Sequence, residues 1–218
     1  MNTNQMIDIL TRSGMDVPPK AMTQFRIYEQ MLISWNQRMN LIARGDEAKI
    51  VSRHFLESIG WLKIHSFSAD ERIVDIGTGA GFPGLPMAII RPDLKISLVD
   101  SNRKKILFLK NVIQELECSS IRIVLSRAEE LDDSFGVADV VVSRAVSSVT
   151  HLMEWTSLLL KRPEGTLMTL KGNEVDEDID HLKTMKEKGM IVDWEIQPFE
   201  PFPGVQLSRK SQMIRIKT

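Results

Sequence analysis

The chain has 218 residues and a mass of 24.8 kDa, enough for one domain with an appendage but not for two large independent ones. Its 43% hydrophobic and 26% charged residues provide for a sizeable core and exclude disordered, collagenous and membrane classes. Twenty-eight Lys and Arg against 29 Asp and Glu leave a formal net charge of -1, which argues against coating bare nucleic acid by bulk charge.

The first 65 residues read as helices. Phe25, Tyr28, Leu32, Trp35 and Met39 recur at spacings of three and four, as do Ile50 or Val51, Phe55, Ile59 and Leu62. Gly14 and Pro18-Pro19 set off an earlier short helix, and Gly45-Asp46 offers a stop and an N-cap. A small helical cap is expected, with its aromatics in the core, since helical spacing is what burial demands.

From Arg72 the pattern changes. Short β-rich apolar runs at Arg72–Ile76, Lys95–Val99, Ile121–Leu125, Asp139–Ser143 and Thr166–Leu170 alternate with helical stretches at Pro83–Ile90, Asn102–Leu116, Ser148–Leu160 and Glu174–Lys188. Strands separated by helices imply right-handed crossovers and a parallel sheet covered on both faces. Ile191–Pro198 and Gln212–Lys217 are joined by a Pro-rich loop with no room for a helix, so the sheet is expected to end in an antiparallel hairpin. The expected fold is α/β, a doubly wound sheet of about seven strands, the architecture of nucleotide-cofactor proteins.

The strongest chemical signal is Val74-Asp75-Ile76-Gly77-Thr78-Gly79-Ala80-Gly81-Phe82-Pro83-Gly84. A strand runs into a glycine-rich loop, and a helix opens with Pro83 near its first turn, where a missing N–H costs nothing. Such a loop lets backbone approach a ligand without Cβ atoms in the way. Gly79-Ala80-Gly81-Phe82-Pro83-Gly84 also fits the dinucleotide fingerprint, and Asp100 at the end of the second strand suits either ligand, since a carboxylate there accepts two ribose hydroxyls. Three features favour S-adenosylmethionine over a nicotinamide. Asp75 precedes the first glycine by two residues, where a pyrophosphate would be repelled. The loop repeats as GxGxG from Gly77. Ser126-Arg127-Ala128-Glu129 supplies an acid where an adenine edge would lie. A P-loop fails because Leu85 and Pro86 follow Gly84 where Lys and Ser or Thr are required.

Asn40-Leu41, Arg53-His54-Phe55-Leu56-Glu57-Ser58, Asp75–Gly84, Leu98-Val99-Asp100-Ser101, Ser126–Glu130, Ser143-Arg144-Ala145, Leu170-Lys171-Gly172 and the Arg209 segment together resemble the bacterial ribosomal RNA small subunit methyltransferase G family, also called glucose-inhibited division protein B. The resemblance runs through nearly the whole chain. Glu57 stands where Asp is usual, and Ser208-Arg209-Lys210-Ser211 replaces a more common Glu-Arg-His pattern. The resemblance implies a Rossmann-like class I S-adenosylmethionine-dependent methyltransferase domain over residues 66–218 with an N-terminal helical cap over 1–65. It implies methyl transfer from S-adenosylmethionine to N7 of a guanine in small-subunit (16S) ribosomal RNA. N7 carries an in-plane lone pair and no proton, so no catalytic acid or base is expected. By position the resemblance places Gly77, Gly79, Gly81, Phe82, Asp100, Ala128, Glu129 and Arg144 at the cofactor, and Arg127, Lys171 and Arg209 at RNA or the active site. For His54 a hydrogen-bonding role within the cap and a functional role are both open.

Other chemistries fit less well. Cys118 follows Glu117 at the end of the second crossover, away from the crevice, so the thiolate that pyrimidine-C5 methylation needs is missing. Ser143-Arg144-Ala145-Val146 stands where amino-group methyltransferases often carry an Asn/Asp-Pro-Pro-Phe/Tyr loop. One cysteine and four histidines without metal-ligand spacing imply a reducing compartment and no metal, and the N-terminus has no secretory pattern. A cytoplasmic monomer with no membrane association is expected, with small-subunit ribosomal RNA or the small subunit as partner. A methyltransferase for a small molecule or a protein would leave Arg127, Arg144, Lys171 and Arg209 unexplained. A nicotinamide oxidoreductase lacks an evident proton donor. A non-catalytic ribosome-binding module is the remaining alternative. Residues 1–65 carry 8 basic and 6 acidic side chains and residues 66–218 carry 20 and 23, so neither part is basic overall. Basic residues cluster locally, at Arg103, Lys104, Lys105 and Lys110 and in 201–218, so binding to a particular RNA site with modest salt dependence is expected.

Overall fold

The computed structural model describes residues 1–132, 135–144, 146–172, 174–205, 207 and 210–218. Helix α1 (Thr3–Arg12) opens on a reciprocal cap, in which Asn2 Oδ1 accepts from the Gln5 N–H at 3.0 Å and Gln5 Oε1 accepts from the Asn2 N–H at 2.9 Å. Helix α2 (Ala21–Met39) buries Ala21, Phe25, Tyr28, Leu32 and Asn36 along one face and ends where Asn40 turns left-handed at φ 48°. The expected stop and N-cap at Gly45-Asp46 do not form. Arg44–Lys49 instead makes a 3-10 turn that runs into a π-helical turn, Ile50–Leu56, and then α3 (Glu57–Ile64). The Asp46 carboxylate turns inward to pair with Arg53 rather than capping a helix.

The remaining elements alternate as expected: β1 (Arg72–Ile76), α4 (Gly84–Ile90), β2 (Lys95–Asp100), α5 (Arg103–Glu115), β3 (Ile121–Leu125), β4 (Val140–Arg144), α6 (Val149–Thr156), β5 (Thr166–Lys171), α7 (Asp176–Glu187), β6 (Asp193–Pro198) and β7 (Gln212–Lys217). They build a seven-stranded sheet in the order β3-β2-β1-β4-β5-β7-β6. The first five strands are parallel, and β7 pairs antiparallel with both β5 and β6. Every strand lies within two residues of its expected bounds. Helix α6 is shorter than the expected Ser148–Leu160. The Thr156 carbonyl accepts from the Leu159 and Leu160 N–H groups, and the chain then bridges to Ala138, whose N–H donates to the Leu159 carbonyl at 2.7 Å. Between β3 and β4 the described residues include a 3-10 turn, Ala128–Glu130.

Alternation along the strands feeds two cores. Ile73, Ile96, Leu98, Val140, Val142 and Met168 face α4, α5 and the cap helices, whose Phe25, Tyr28, Leu32, Phe55 and Ile59 join the same hydrophobic cluster. Val74, Ile76, Val141, Leu167 and Ile214 face α6 and α7 through Leu152, Met153, Leu182 and Met185. Strand order reverses between β1 and β4, and a crevice opens at the carboxyl ends of these strands.

Candidate active site

A cavity of about 590 Å³ occupies that crevice, within the range of small-molecule sites. The glycine loop forms its floor. The Thr78 N–H donates to the Val99 carbonyl at 3.0 Å and the Gly79 N–H donates to Asp100 Oδ2 at 2.9 Å, so the loop is tied to the end of β2. Gly77 sits at φ +67°, and a Cβ there would come within 2.5 Å of a Val146 methyl, because the segment after β4 lies directly over it. Gly79 faces open space, with nothing nearer than 3.9 Å to a would-be Cβ, so its backbone is accessible to a ligand.

Asp100, 7% exposed, lines the cavity. Its Oδ1 accepts from the Asn102 N–H at 2.8 Å and Lys105 Nζ stands 3.5 Å from Oδ2. Each carboxylate oxygen can accept again, so capacity remains for two hydroxyls. Gly77, Gly79, Phe82, Ala128, Glu129, Arg144 and Arg127 also line the cavity. Gly81 does not; it packs one layer below, beneath Tyr28. Lys171 is off the wall as well, its Nζ donating to the Ser147 carbonyl at 2.5 Å and so holding the segment that covers Gly77. Arg209 lies outside the described residues. Arg127 and Glu129 are exposed at the rim, 3.6 Å apart.

Asp75 does not face the cavity. It is fully buried, with Oδ2 accepting from Thr78 Oγ1 at 2.7 Å and from the Gly84 N–H at 2.8 Å, while Oδ1 has no hydrogen-bond partner among the described residues. It braces the loop from behind. Burial is the main cause that pushes its pKa up from 3.8 to about 7, against the opposing hydrogen bonds from Thr78 and Gly84.

Arg144 enters from the end of β4 and is held on three sides. Nη1 donates to Glu57 Oε1 at 3.0 Å and to the Arg53 carbonyl at 3.5 Å, Nη2 lies 3.1 Å from His54 Nδ1, and the guanidinium sits over the Phe82 ring at 5.0 Å. Because a guanidinium only donates, His54 accepts at Nδ1 and carries its proton on Nε2, which points toward Asp46 Oδ2 at 3.7 Å. Burial first, then the Arg144 and Arg53 charges, lowers the His54 pKa to about 3. The imidazole therefore stays neutral and works as an acceptor for Arg144; its hydrogen bond leaves the cap for the end of β4, and the ring also lines the cavity. The role of Glu57 is also plain: its longer carboxylate reaches the guanidinium across 87 residues of sequence.

Two wall residues had no sequence signal that singled them out. Ile42, from the cap, and Trp155, from α6, line the cavity beside Leu41 of the Asn40-Leu41 segment. Helical spacing alone does not say which face of α6 points there. Cys118 is half-buried beside Gln24, and burial pushes its thiol up to about 11, so it is no nucleophile at neutral pH. Among the described residues no helix is long and apolar enough to cross a membrane, and no group of three or more His, Cys, Asp or Glu is placed to hold a metal ion.

Comparison with known proteins gives these features a family. The family model GidB, rRNA small subunit methyltransferase G, matches residues 21–200. A ribosomal RNA small subunit methyltransferase G from Thermoanaerobacter sp. (strain X514) is 39% identical over 172 residues, covering 77% of this chain and 71% of the relative. A protein of the same name from Bacillus cereus (strain B4264) is 36% identical over 186 residues, covering 84% and 77%. Among solved structures, M. jannaschii TYW2 in complex with AdoMet matches with a TM-score of 0.55 at 16% identity, over 81% of this chain and 77% of its own. Precorrin-6y C5,15-methyltransferase from Geobacter metallireducens matches at 0.54 and 13% identity, over 75% and 88%. These structural likenesses establish the fold, that of class I S-adenosylmethionine-dependent methyltransferases. The sequence matches go further: the chain belongs to the ribosomal RNA small subunit methyltransferase G family.

Proposed function

We propose that this protein transfers a methyl group from S-adenosylmethionine to N7 of a guanine in small-subunit (16S) ribosomal RNA, acting as a cytoplasmic monomer in which residues 1–65 cap a methyltransferase domain of residues 66–218. The observation that carries this reading is the cavity at the β1/β4 switch point, where the glycine loop, Asp100 and Arg144 converge in a chain of this family. S-adenosylmethionine supplies an activated methyl group on a sulfonium when bound.

The residues present fit that molecule. Gly79 offers bare backbone, Gly77 lines the cavity beneath Val146, Asp100 has capacity for the ribose hydroxyls, and Ala128 and Glu129 stand at the next strand's end for the adenine. Gly81 and Phe82 shape the loop from below, and Arg144, pinned by Glu57 and His54, presents a fixed charge at the opposite wall. Arg127, Lys171 and Arg209 are assigned to the RNA side. Since N7 has no proton to lose, the protein's work is to align nucleophile and methyl group, an effect worth up to roughly 7–11 kcal/mol in favourable cases.

The direct test incubates the protein with labelled S-adenosylmethionine and small subunits that lack the modification, then maps N7-methylguanosine by reductive cleavage of the RNA. Label at N7 of one guanine is expected; methyl on another base atom, or on protein alone, refutes the assignment. Lys171→Ala supplies a second prediction. With a cation of the RNA side removed, methyl transfer is expected to fall roughly tenfold or more, while cofactor affinity, reached only through the lost bond to the Ser147 carbonyl, changes less than about threefold. Parallel losses in both would place Lys171 in cofactor binding instead.

A further inference from the structure

On the reading of the cavity as the S-adenosylmethionine site, we propose that Tyr28, carried by the cap helix α2, is a positioning residue for the cofactor loop, holding the Ala80 carbonyl and with it the turn that presents Thr78 and Gly79 to the ligand.

Tyr28 is completely buried, and its hydroxyl donates to the Ala80 carbonyl at 2.5 Å across 52 residues of sequence. Its ring has little freedom to turn, being stacked on Phe55 at 4.9 Å and on Phe82, itself in the loop, at 5.6 Å. The loop is shaped around the hydroxyl. Gly81 takes φ +107°, and a Cβ there would lie 2.8 Å from Tyr28 Oη, so any side chain at 81 would displace the contact.

Inside the turn the Thr78 carbonyl already accepts from the Gly81 and Phe82 N–H groups, at 2.9 and 2.8 Å. The Ala80 carbonyl takes its hydrogen bond from the cap instead. A phenyl ring at position 28 would fill the same space with no polar atom to bury, so the hydroxyl is explained by what it holds. The path continues to the far wall. Phe82 stacks on His54 at 4.9 Å and lies under the Arg144 guanidinium at 5.0 Å, so one ladder of rings runs from the cap helix to the cavity. The cap therefore acts as part of the cofactor site, although its helices contribute few atoms to the cavity wall.

The test is Tyr28→Phe, which removes one oxygen atom, measured by calorimetric binding of S-adenosylhomocysteine and by steady-state kinetics. The Kd for S-adenosylhomocysteine and the KM for S-adenosylmethionine are expected to rise about five- to tenfold, the size of one buried hydrogen bond, while the KM for the small subunit stays within about twofold. Phe25→Leu is the control. Phe25 packs on Phe55 at 5.1 Å in the same aromatic group, and the rings paired with Phe82 of the loop are those of Tyr28, His54 and Phe55, so this variant should lower Tm and leave both KM values in place. Unchanged cofactor affinity in folded Tyr28→Phe, or an equal shift in Phe25→Leu, overturns the proposal while leaving the cavity assignment intact. Failure of the parent protein to bind S-adenosylhomocysteine overturns the cavity assignment and the proposal together.

Discussion

Asp100→Ala is expected to weaken binding of S-adenosylhomocysteine by roughly 10²–10⁴-fold, read as Kd by titration calorimetry. Two effects add. The carboxylate is proposed to accept both ribose hydroxyls, and hydrogen bonds to a charged group contribute roughly 1.5–3 kcal/mol each. The same carboxylate receives the Gly79 and Asn102 N–H groups at 2.9 and 2.8 Å, so truncation also loosens the loop and the start of α5. Asp100→Asn divides the two, since the amide keeps one acceptor but loses the charge, and about a tenfold loss is expected. Wild-type affinity in Asp100→Ala would remove Asp100 from the site. An equal loss in both variants would show that charge, not geometry, dominates.

The second large effect is a pH dependence of stability centred on Asp75. Its pKa is near 3.9 in an unfolded chain and about 7 in the fold, so the folded state holds the extra proton between those values. Stability falls with rising pH wherever the native state binds more protons. The Asp75 contribution is thus complete below about pH 4 and is lost progressively up to about pH 7, by as much as roughly 4 kcal/mol for a gap of this size. Asp75→Asn removes the titration. Its amide oxygen can still accept from Thr78 and Gly84, but its NH₂ occupies the place of Oδ1, which has no hydrogen-bond partner among the described residues, at a cost of roughly 1–3 kcal/mol. The variant should be the less stable protein at pH 5, and the difference should narrow or reverse by pH 8. Denaturant midpoints for the pair at both pH values decide it. Curves that stay parallel would show that Asp75 is ionised in the fold throughout this range.

The sheet was legible because buried parallel strands are short apolar runs punctuated by helical periods, and those periods are local. So was the chemistry of the loop, since glycine spacing and the acid that ends β2 sit within one crossover. What sequence left hidden is long-range. Arg144 meets Glu57 and His54 across 87 and 90 residues, and nothing in Arg53-His54-Phe55-Leu56-Glu57 says that two of its side chains will grip an arginine at the end of β4. Asp75 is a case of a correct residue given a wrong direction. A carboxylate two residues before the first glycine suggests a group facing the ligand, yet strand alternation and the closeness of α4 turn it inward onto Thr78 and Gly84. Asp46 likewise has the composition of an N-cap, but the half-buried Arg53 guanidinium takes its carboxylate instead.

The strand order carries a consequence for how the chain is made. β7 lies between β5 and β6, so β6, although synthesised earlier, has no sheet neighbour until residues 212–217 arrive. During vectorial synthesis the five parallel strands can assemble first, leaving β5 as an open rim of unpaired N–H and C=O groups. That rim is the place where a chaperone or a second nascent chain would compete with the protein's own last strand, and a pause in translation just before residue 212 would lengthen the contest.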